Sequence, residues 1–495
     1  MALPSLNPAT PTDMEPAPSK QTNGDPTLSP IIDGGEDEYI SSDDTKALER
    51  RLRLKVDLRL CTIAGILCSL NLLDSGVISS ASVTSMITDL ELSGNRYSVS
   101  IFIFTIASIA FQLPSTIAVR TFRPRLYFSM ATFGFGLITM CTAFIHTWKE
   151  MIALRVLLGV AMSGIYPGLT YLISTWYPRR EQQTRFAFLQ SGECIILATG
   201  SIINASLNQL DGRGGLAGWR YMFLVQGLIS LVLGLVTYFW IVDFPEHAHK
   251  SLWFLTESEQ RLACTRINDD RQDVEIGSFS WKKVLIHAKD AKVYGFACMF
   301  FLLNLVSTSL SYFLPIILQS GMGFDANKAI LLSALPYYWA VIPVLASSIF
   351  GDRLHLRGPV IVFNCICLIT GFSMLGFTEQ VTVRYIGTFL ATGAYISNWA
   401  ALSAYQAGNI TGQHKRIFTA ALVTMFNGAG GIAGSFIVRS NEAPRYMTAI
   451  WVSIGSHVLI ILLVAGFSAY FYVENNAARS GKKILEGVEG FRFTY

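Results

Sequence analysis

The chain is 495 residues long, 51% hydrophobic and only 15% charged. Soluble domains carry about a quarter charged residues, so the deficit excludes an ordinary water-soluble enzyme and makes lipid the expected solvent. A formal net charge of +4 is too small to imply a nucleic-acid partner.

Residues 1–50 are rich in Pro, Ser, Thr and acids and include the run from Glu36 to Asp44. Such a stretch cannot bury a core, so a disordered cytosolic tail is expected. It has no basic segment followed by an apolar core, and so no signal peptide.

A helix needs roughly 20 mostly apolar residues to cross about 30 Å of hydrocarbon. That criterion predicts twelve spans: Leu58–Ser80, Ser98–Val119, Leu126–Ile145, Met151–Ile173, Phe186–Leu207, Tyr221–Ile241, Val293–Ile317, Ala329–Ile349, Val360–Phe377, Val383–Ala404, Phe418–Val438 and Met447–Tyr472. Alternate connections are basic. Arg50, Arg51, Arg53 and Lys55 precede span 1; Arg120, Arg123 and Arg125 follow span 2; Arg179, Arg180 and Arg185 follow span 4. Arg353 and Arg357, Lys415 and Arg416, then Arg479, Lys482 and Lys483 continue the pattern. The positive-inside rule then puts both termini in the cytosol.

From Asp243 to Asp290 the chain turns polar, with a helix-like stretch Thr256 to Asn268 opened by a capping signal. This linker, residues 243–290, divides a first six-helix bundle (51–242) from a second (291–473), with a cytosolic tail at 474–495. The expected fold is an all-α membrane protein of two six-helix halves. In such a plan the ligand site lies between the halves near the bilayer midplane.

Local motifs sharpen the plan. Span 4 runs Arg155-Val-Leu-Leu-Gly159, then Gly164-Ile-Tyr-Pro167-Gly168, and closes with Ser174-Thr-Trp176-Tyr177-Pro-Arg179-Arg180-Glu181. Gly214-Gly215-Leu216-Ala217-Gly218-Trp219-Arg220 precedes span 6 and Asp243-Phe-Pro-Glu246 follows it. Gly412-Gln-His-Lys415-Arg416, Asn427-Gly-Ala-Gly430-Gly431-Ile-Ala-Gly434-Ser435 and Ala443-Pro444-Arg445-Tyr446 mark spans 10 to 12. In order and spacing, from residue 55 to 480, the set resembles the fungal allantoate-permease-like branch of the anion:cation symporters, within the major facilitator superfamily. The resemblance implies a secondary transporter of a small organic anion such as a vitamin, ureide or other organic acid, coupled to protons and working by alternating access. It implies a monomer in the plasma membrane. Export of a metabolite, or nutrient sensing without transport, are the alternatives on the same scaffold; the final stretch Ala477–Tyr495 is too short and bland for a signalling domain.

A charge at the bilayer centre costs at least about 2.5–3.5 kcal/mol, so each one needs a reason. Asp74 in span 1 and Arg155 in span 4 fall at similar depth, and either pair with each other or share an anionic substrate, for which a guanidinium fork is suited. Glu193 in the inner half of span 5 is the candidate proton-coupling carboxylate, with Asp74 beside it in that role, because a carboxyl held away from bulk water can change its protonation between conformations. The resembling family often has Glu at the position of Met162 and a small residue at that of Glu193, so a carboxylate has changed helices here.

The family's cavity is lined by spans 1, 4, 7 and 10. The substrate-contact candidates there are Asn71, Asp74, Arg155, Tyr166, Asn304, Tyr312, Tyr395, Asn398 and Trp399, although Asn and Ser in membrane helices more often bond another helix. Arg120, Arg125, Arg179, Arg180, Asp352 and Arg353 are the candidate cytosolic gate, in which the connection after span 2 lacks the acid that Asp352 provides after span 8. The seven histidines are scattered without metal-ligand spacing, and no nucleotide-binding loop is present, so no cofactor and no metal are expected. The sequons at Asn204 and Asn409 fall in a span and on the inner side, where glycosylation is not expected.

Overall fold

Each predicted apolar run forms a helix in the computed structural model. The structure describes residues 28–29, 40–92, 94–177, 179–245, 254–256, 259–265, 286–354, 356–411, 413–481, 483, 485–487 and 491–495. Among the described residues twelve long helices follow in order: α1 Thr62–Ala81, α2 Arg96–Phe122, α3 Pro124–Thr142, α4 in two pieces (Trp148–Met162 and Ile165–Trp176), α5 Arg179–Asn208 and α6 Gly218–Trp240. Then come α7 Ala291–Ile316, α8 Ala326–Leu354, α9 Arg357–Phe377, α10 Val381–Asn409, α11 Gln413–Gly434 and α12 Met447–Arg479. Seven helical stretches among the described residues are long and apolar enough to cross a membrane by length and composition; Arg96–Gln112 and Phe418–Gly434 are apolar but shorter.

Residues 1–54 form a unit of their own. Its described parts are a two-residue antiparallel pair, Leu28–Ser29 with Ile40–Ser41, and a helix that starts at Ser42. The helix therefore begins inside the stretch expected to be a structureless tail. Most of the earlier tail, and residues 257–258 and 266–268 of the expected linker helix, lie outside the described residues; 259–265 are helical.

The same three helix pairings occur in both halves. α1 packs on α5, α2 on α4 and α3 on α6; α7 packs on α11, α8 on α10 and α9 on α12. The halves meet through α5 against α8, α2 against α11 and α1 against α7, a set that maps onto itself when the halves are exchanged. Small residues permit the close approaches. A Cβ built on Gly159 would lie 2.6 Å from the Phe104 carbonyl oxygen, and Gly430 and Gly434 leave no room for a Cβ against the backbone of α7.

Lys55 reaches linker residue Glu259 at 2.6 Å, and the linker's last residue, Asp290, reaches Lys415 at the start of α11 at 2.5 Å. The start of α1, the linker and the start of α11 thus share one face, called here the linker face. Hydrogen bonds joining the halves lie toward the opposite, far face. Tyr97 Oη donates to the Tyr312 carbonyl (3.1 Å), Gln319 Nε2 to the Val83 carbonyl (3.1 Å) and Asn208 Nδ2 to Asn327 Oδ1 (3.1 Å). Beneath these lies a small pocket between the halves, lined by Gly76, Ser79, Ser201, Ser311, Ser333 and Tyr337 among others.

Candidate functional site

Asp74 sits in α1 and Arg155 two turns into α4, whose first turn is fixed by Thr147 Oγ1 accepting from the Glu150 N–H. The two helices bring the side chains together. Arg155 Nη1 donates to Asp74 Oδ2 at 2.6 Å, with the side chains 3% and 1% exposed. Asp74 Oδ1 has no hydrogen-bond partner. The Phe104 ring lies 5.9 Å from the guanidinium carbon, and Tyr97 closes the site against α7 of the other half through its bond to the Tyr312 carbonyl and an edge contact with Phe313. One oxygen of a buried carboxylate is therefore free to take a proton or a ligand group. A buried polar atom without a partner is costly, and such positions mark function or a missing partner.

Glu193 is also buried and lies near the middle of α5, because that helix runs beyond the expected span toward the linker face. Its Oε2 accepts from Gln190 Nε2 at 3.2 Å, and Cys68, Tyr166 and Cys194 are its electrostatic neighbours. Tyr166 is 59% exposed and so has an open side. The structure thus joins Asp74, Arg155 and Tyr312 in one cluster, and places Glu193 in another with Tyr166.

In the second half the candidates divide. Tyr395 is buried and lies 3.5 Å from Ser311 Oγ, on the border of the cavity between the halves. Asn304 Nδ2 donates to the Asn427 carbonyl of α11 (2.7 Å), and Asn398 Nδ2 donates to Cys365 Sγ of α9 (3.4 Å), leaving its Oδ1 without a partner. Trp399 packs on Phe300, with ring centroids 5.7 Å apart. Both asparagines are engaged with neighbouring helices of their own half. The Asn71 side chain lies outside the described residues.

Of the gate candidates, the side chains of Arg120, Arg179, Arg180 and Asp352 lie outside the described residues, and Arg353 is exposed. Arg125 is placed. Its Nε donates to the Tyr238 carbonyl (2.6 Å), its guanidinium lies 4.4 Å from the Tyr238 ring, and its backbone N–H donates to Asp243 Oδ1 (3.1 Å). Asp243 also accepts, through its carbonyl, from Trp176 Nε1 (3.0 Å). Asp243 of the Asp-Phe-Pro-Glu motif thus caps the start of α3 from the other end of the half.

A second acid was not singled out in the sequence. Asp57 accepts Arg185 Nε (3.1 Å) and Nη2 (2.9 Å) and Tyr177 Oη (2.6 Å), joining the start of α1 to the start of α5. The signal was an isolated acid in a basic and apolar run, Lys55-Val-Asp57-Leu-Arg59. Arg384 was also missed. It is buried in α10, its Nη1 donates to the Gly321 carbonyl, its Nε to that of Leu375 (3.0 Å) and its Nη2 to that of Pro444 (3.3 Å).

Among the described residues no group of three His, Cys, Asp or Glu is placed to hold a metal ion. Residues 64–435 match the family model described as Major Facilitator Superfamily. The chain is 29% identical to the MFS-type transporter cnsO of Penicillium expansum over 449 residues, 89% of this chain and 86% of that one. It is 29% identical to the high-affinity nicotinic acid transporter of Saccharomyces cerevisiae over 418 residues, 84% of this chain and 77% of that one. Among solved structures it is similar to the xylose transporter XylE from E. coli in a partially occluded inward open conformation, with a TM-score of 0.59, 14% identity, and 84% and 99% of the two chains covered.

Proposed function

The chain belongs to the major facilitator superfamily and is a multi-pass membrane transporter rather than an enzyme; from that premise we propose that it carries a small organic anion together with protons. The carrying observation is the buried Arg155–Asp74 pair with Asp74 Oδ1 unpartnered. A substrate carboxylate offers the fork of Arg155 the two parallel acceptors that this single contact leaves unused. Asp74, relieved of its partner, then takes a proton, since an unpaired carboxylate in a low-dielectric site is costly when charged. Substrate and proton are coupled because the substrate carboxylate and Asp74 compete for one guanidinium, and the proton neutralises Asp74 when it is displaced. Glu193, buried beside the half-exposed Tyr166, is a second proton-accepting position on the same route.

The far-face bonds between the halves support alternating access, because they belong to a state closed on that side and must break for the other. The basic connections favour a cytosolic linker face; the resemblance favours a monomer in the plasma membrane, and the small net charge of +4 favours no nucleic-acid partner. The similarity to a protein named as a nicotinic acid transporter supports a carboxylate as cargo.

Uptake of labelled carboxylates, nicotinic acid included, by cells expressing the protein at two external pH values tests the reading. Acid-stimulated accumulation that a protonophore abolishes is expected, with an affinity loss of roughly tenfold, about 1.4 kcal/mol, in Arg155→Lys. Accumulation of carboxylates at equal affinity in that variant overturns the role of the guanidinium fork, and accumulation unaffected by the protonophore overturns the coupling.

A further inference from the structure

After α12 the chain does not leave the protein. Residues 485–487 form a short turn and residues 491–495 run in extended form back across the linker face of the second half. The expectation of a bland tail is corrected here. Backbone groups of Phe493, Thr494 and Tyr495, the Phe493 ring and the Glu486 carboxylate each meet a partner on the helices that the segment crosses.

Two buried asparagines read the backbone. Asn475 of α12 accepts from the Phe493 N–H through Oδ1 (2.9 Å) and donates through Nδ2 to the Phe493 carbonyl (2.9 Å). Asn409, at the end of α10, does the same to Thr494, at 2.9 and 3.1 Å. Each side-chain amide thus satisfies both backbone groups of one residue, as a neighbouring strand would, and two successive residues are read. The first turn of α9 takes the next residue: the Arg357 and Gly358 N–H groups donate to the Tyr495 carbonyl at 2.7 and 3.0 Å.

Side chains add selectivity. The Phe493 ring stacks on Phe471 of α12 with centroids 4.5 Å apart and planes 16° apart, and Lys292 Nζ lies 4.6 Å from that ring. Upstream, the Glu486 carboxylate accepts from Lys292, at the start of α7, and from Lys415, at the start of α11, the latter at 2.7 and 2.8 Å. Lys415 also holds Asp290, the last linker residue and the cap of α7. The segment therefore touches α7, α9, α10, α11 and α12 and shares a lysine with the end of the linker.

We propose that residues 485–487 and 491–495 are a peptide ligand carried by the chain itself, bound in a peptide-reading groove on the linker face of the second half, and that its seating fastens the linker's end to that half. The groove recognises an extended peptide with an acidic residue upstream of alternating aromatics. It stands apart from the Arg155–Asp74 site, so the transport reading and this one fail independently.

Hydrogen–deuterium exchange on the full chain tests it. The amides of Phe493, Thr494, Arg357 and Gly358 are expected to be protected in the wild type. Phe493→Ala should speed exchange at Arg357 and Gly358 by about tenfold, and a soluble peptide of residues 485–495 should restore their protection. Asn475→Asp, which keeps size but loses the donor to the Phe493 carbonyl, serves as a second release variant and should free the amides of Phe493 and Thr494. Free exchange of these amides in the wild type, unchanged protection in both variants, or failure of the peptide to restore protection in a folded Phe493→Ala protein would each overturn the proposal.

Discussion

Two arginines on equivalent helices of the two halves have opposite surroundings. α4 and α10 make matching pairings, with α2 and α8 respectively, and each buries one arginine within its first two turns. Arg155 has a carboxylate partner whose second oxygen is unpartnered, whereas Arg384 binds three backbone carbonyls where α7, α9 and the loop before α12 end. A guanidinium that binds carbonyls of helix termini completes the scaffold. One that binds a half-satisfied carboxylate can exchange partners. Depth in the membrane is the same kind of signal for both; the bonding partners separate them.

Substitution should expose the difference, and the largest effect is expected at the ion pair. Arg155→Leu strands a buried Asp74 and should cost about 3–5 kcal/mol of stability, read as a fall in the thermal unfolding midpoint. Adding Asp74→Asn to that variant should recover most of the loss, since a neutral amide tolerates the site better. Arg384→Leu should cost about 3 kcal/mol because its carbonyls lose their donors together, and no change of a single partner can repair it. Substrate affinity measured on the folded fraction should stay at the wild-type value; a selective loss of affinity there would erase the contrast between the two arginines.

A smaller effect sharpens the packing side of the comparison. Gly159 lies one turn beyond Arg155, and Gly159→Ala would press a methyl against the Phe104 carbonyl, at a cost of about 1–3 kcal/mol. Gly134→Ala, where nothing lies within 4 Å of the new Cβ, should change the midpoint within about 0.5 kcal/mol and serves as the control.

The smallest effect concerns the linker face, where the halves also differ. The first half closes through Asp57, Arg185 and Tyr177 on its own helices and through Asp243, while the second borrows Glu486 from the chain's last segment. Burial raises Asp290 and Glu486, but the hydrogen bonds from Lys415 and Lys292 outweigh it, so both carboxyls sit below their ordinary ranges. Burial likewise lowers Lys415, and its two carboxylate partners more than offset this. For carboxyls held low, the stabilisation is present above the ordinary carboxylate range and lost as pH falls through the folded-state values, below about pH 4. For a lysine held high, it persists until pH rises past the ordinary lysine value of about 10.4. Amide protection of the 485–495 segment should therefore hold between about pH 5 and 10 and fade in acid. Fading on the alkaline side alone would contradict the pairing.

The helices and their order were legible in the sequence because each is a local property: an apolar run of membrane length becomes a helix whatever it packs against, since lipid offers its backbone no other partners. Asp74, Arg155 and Glu193 could be picked out for the same reason, as charges that hydrocarbon penalises wherever they lie. Partnership was not legible. Asp57 with Arg185 is 128 residues apart in sequence and Asn409 with Thr494 is 85, and no periodicity links them. Asn304 and Asn398 looked like cavity residues, and only the packed helices show them bonded to α11 and α9. Residue type and hydropathy alone determined that this chain crosses a membrane many times and that Asp74, Arg155 and Glu193 demand a reason. Which charge meets which, and whether a buried arginine binds a carboxylate or helix-end carbonyls, was decided only when distant helices closed on each other, because hydrogen bonds act over about 3 Å and depend on tertiary neighbours.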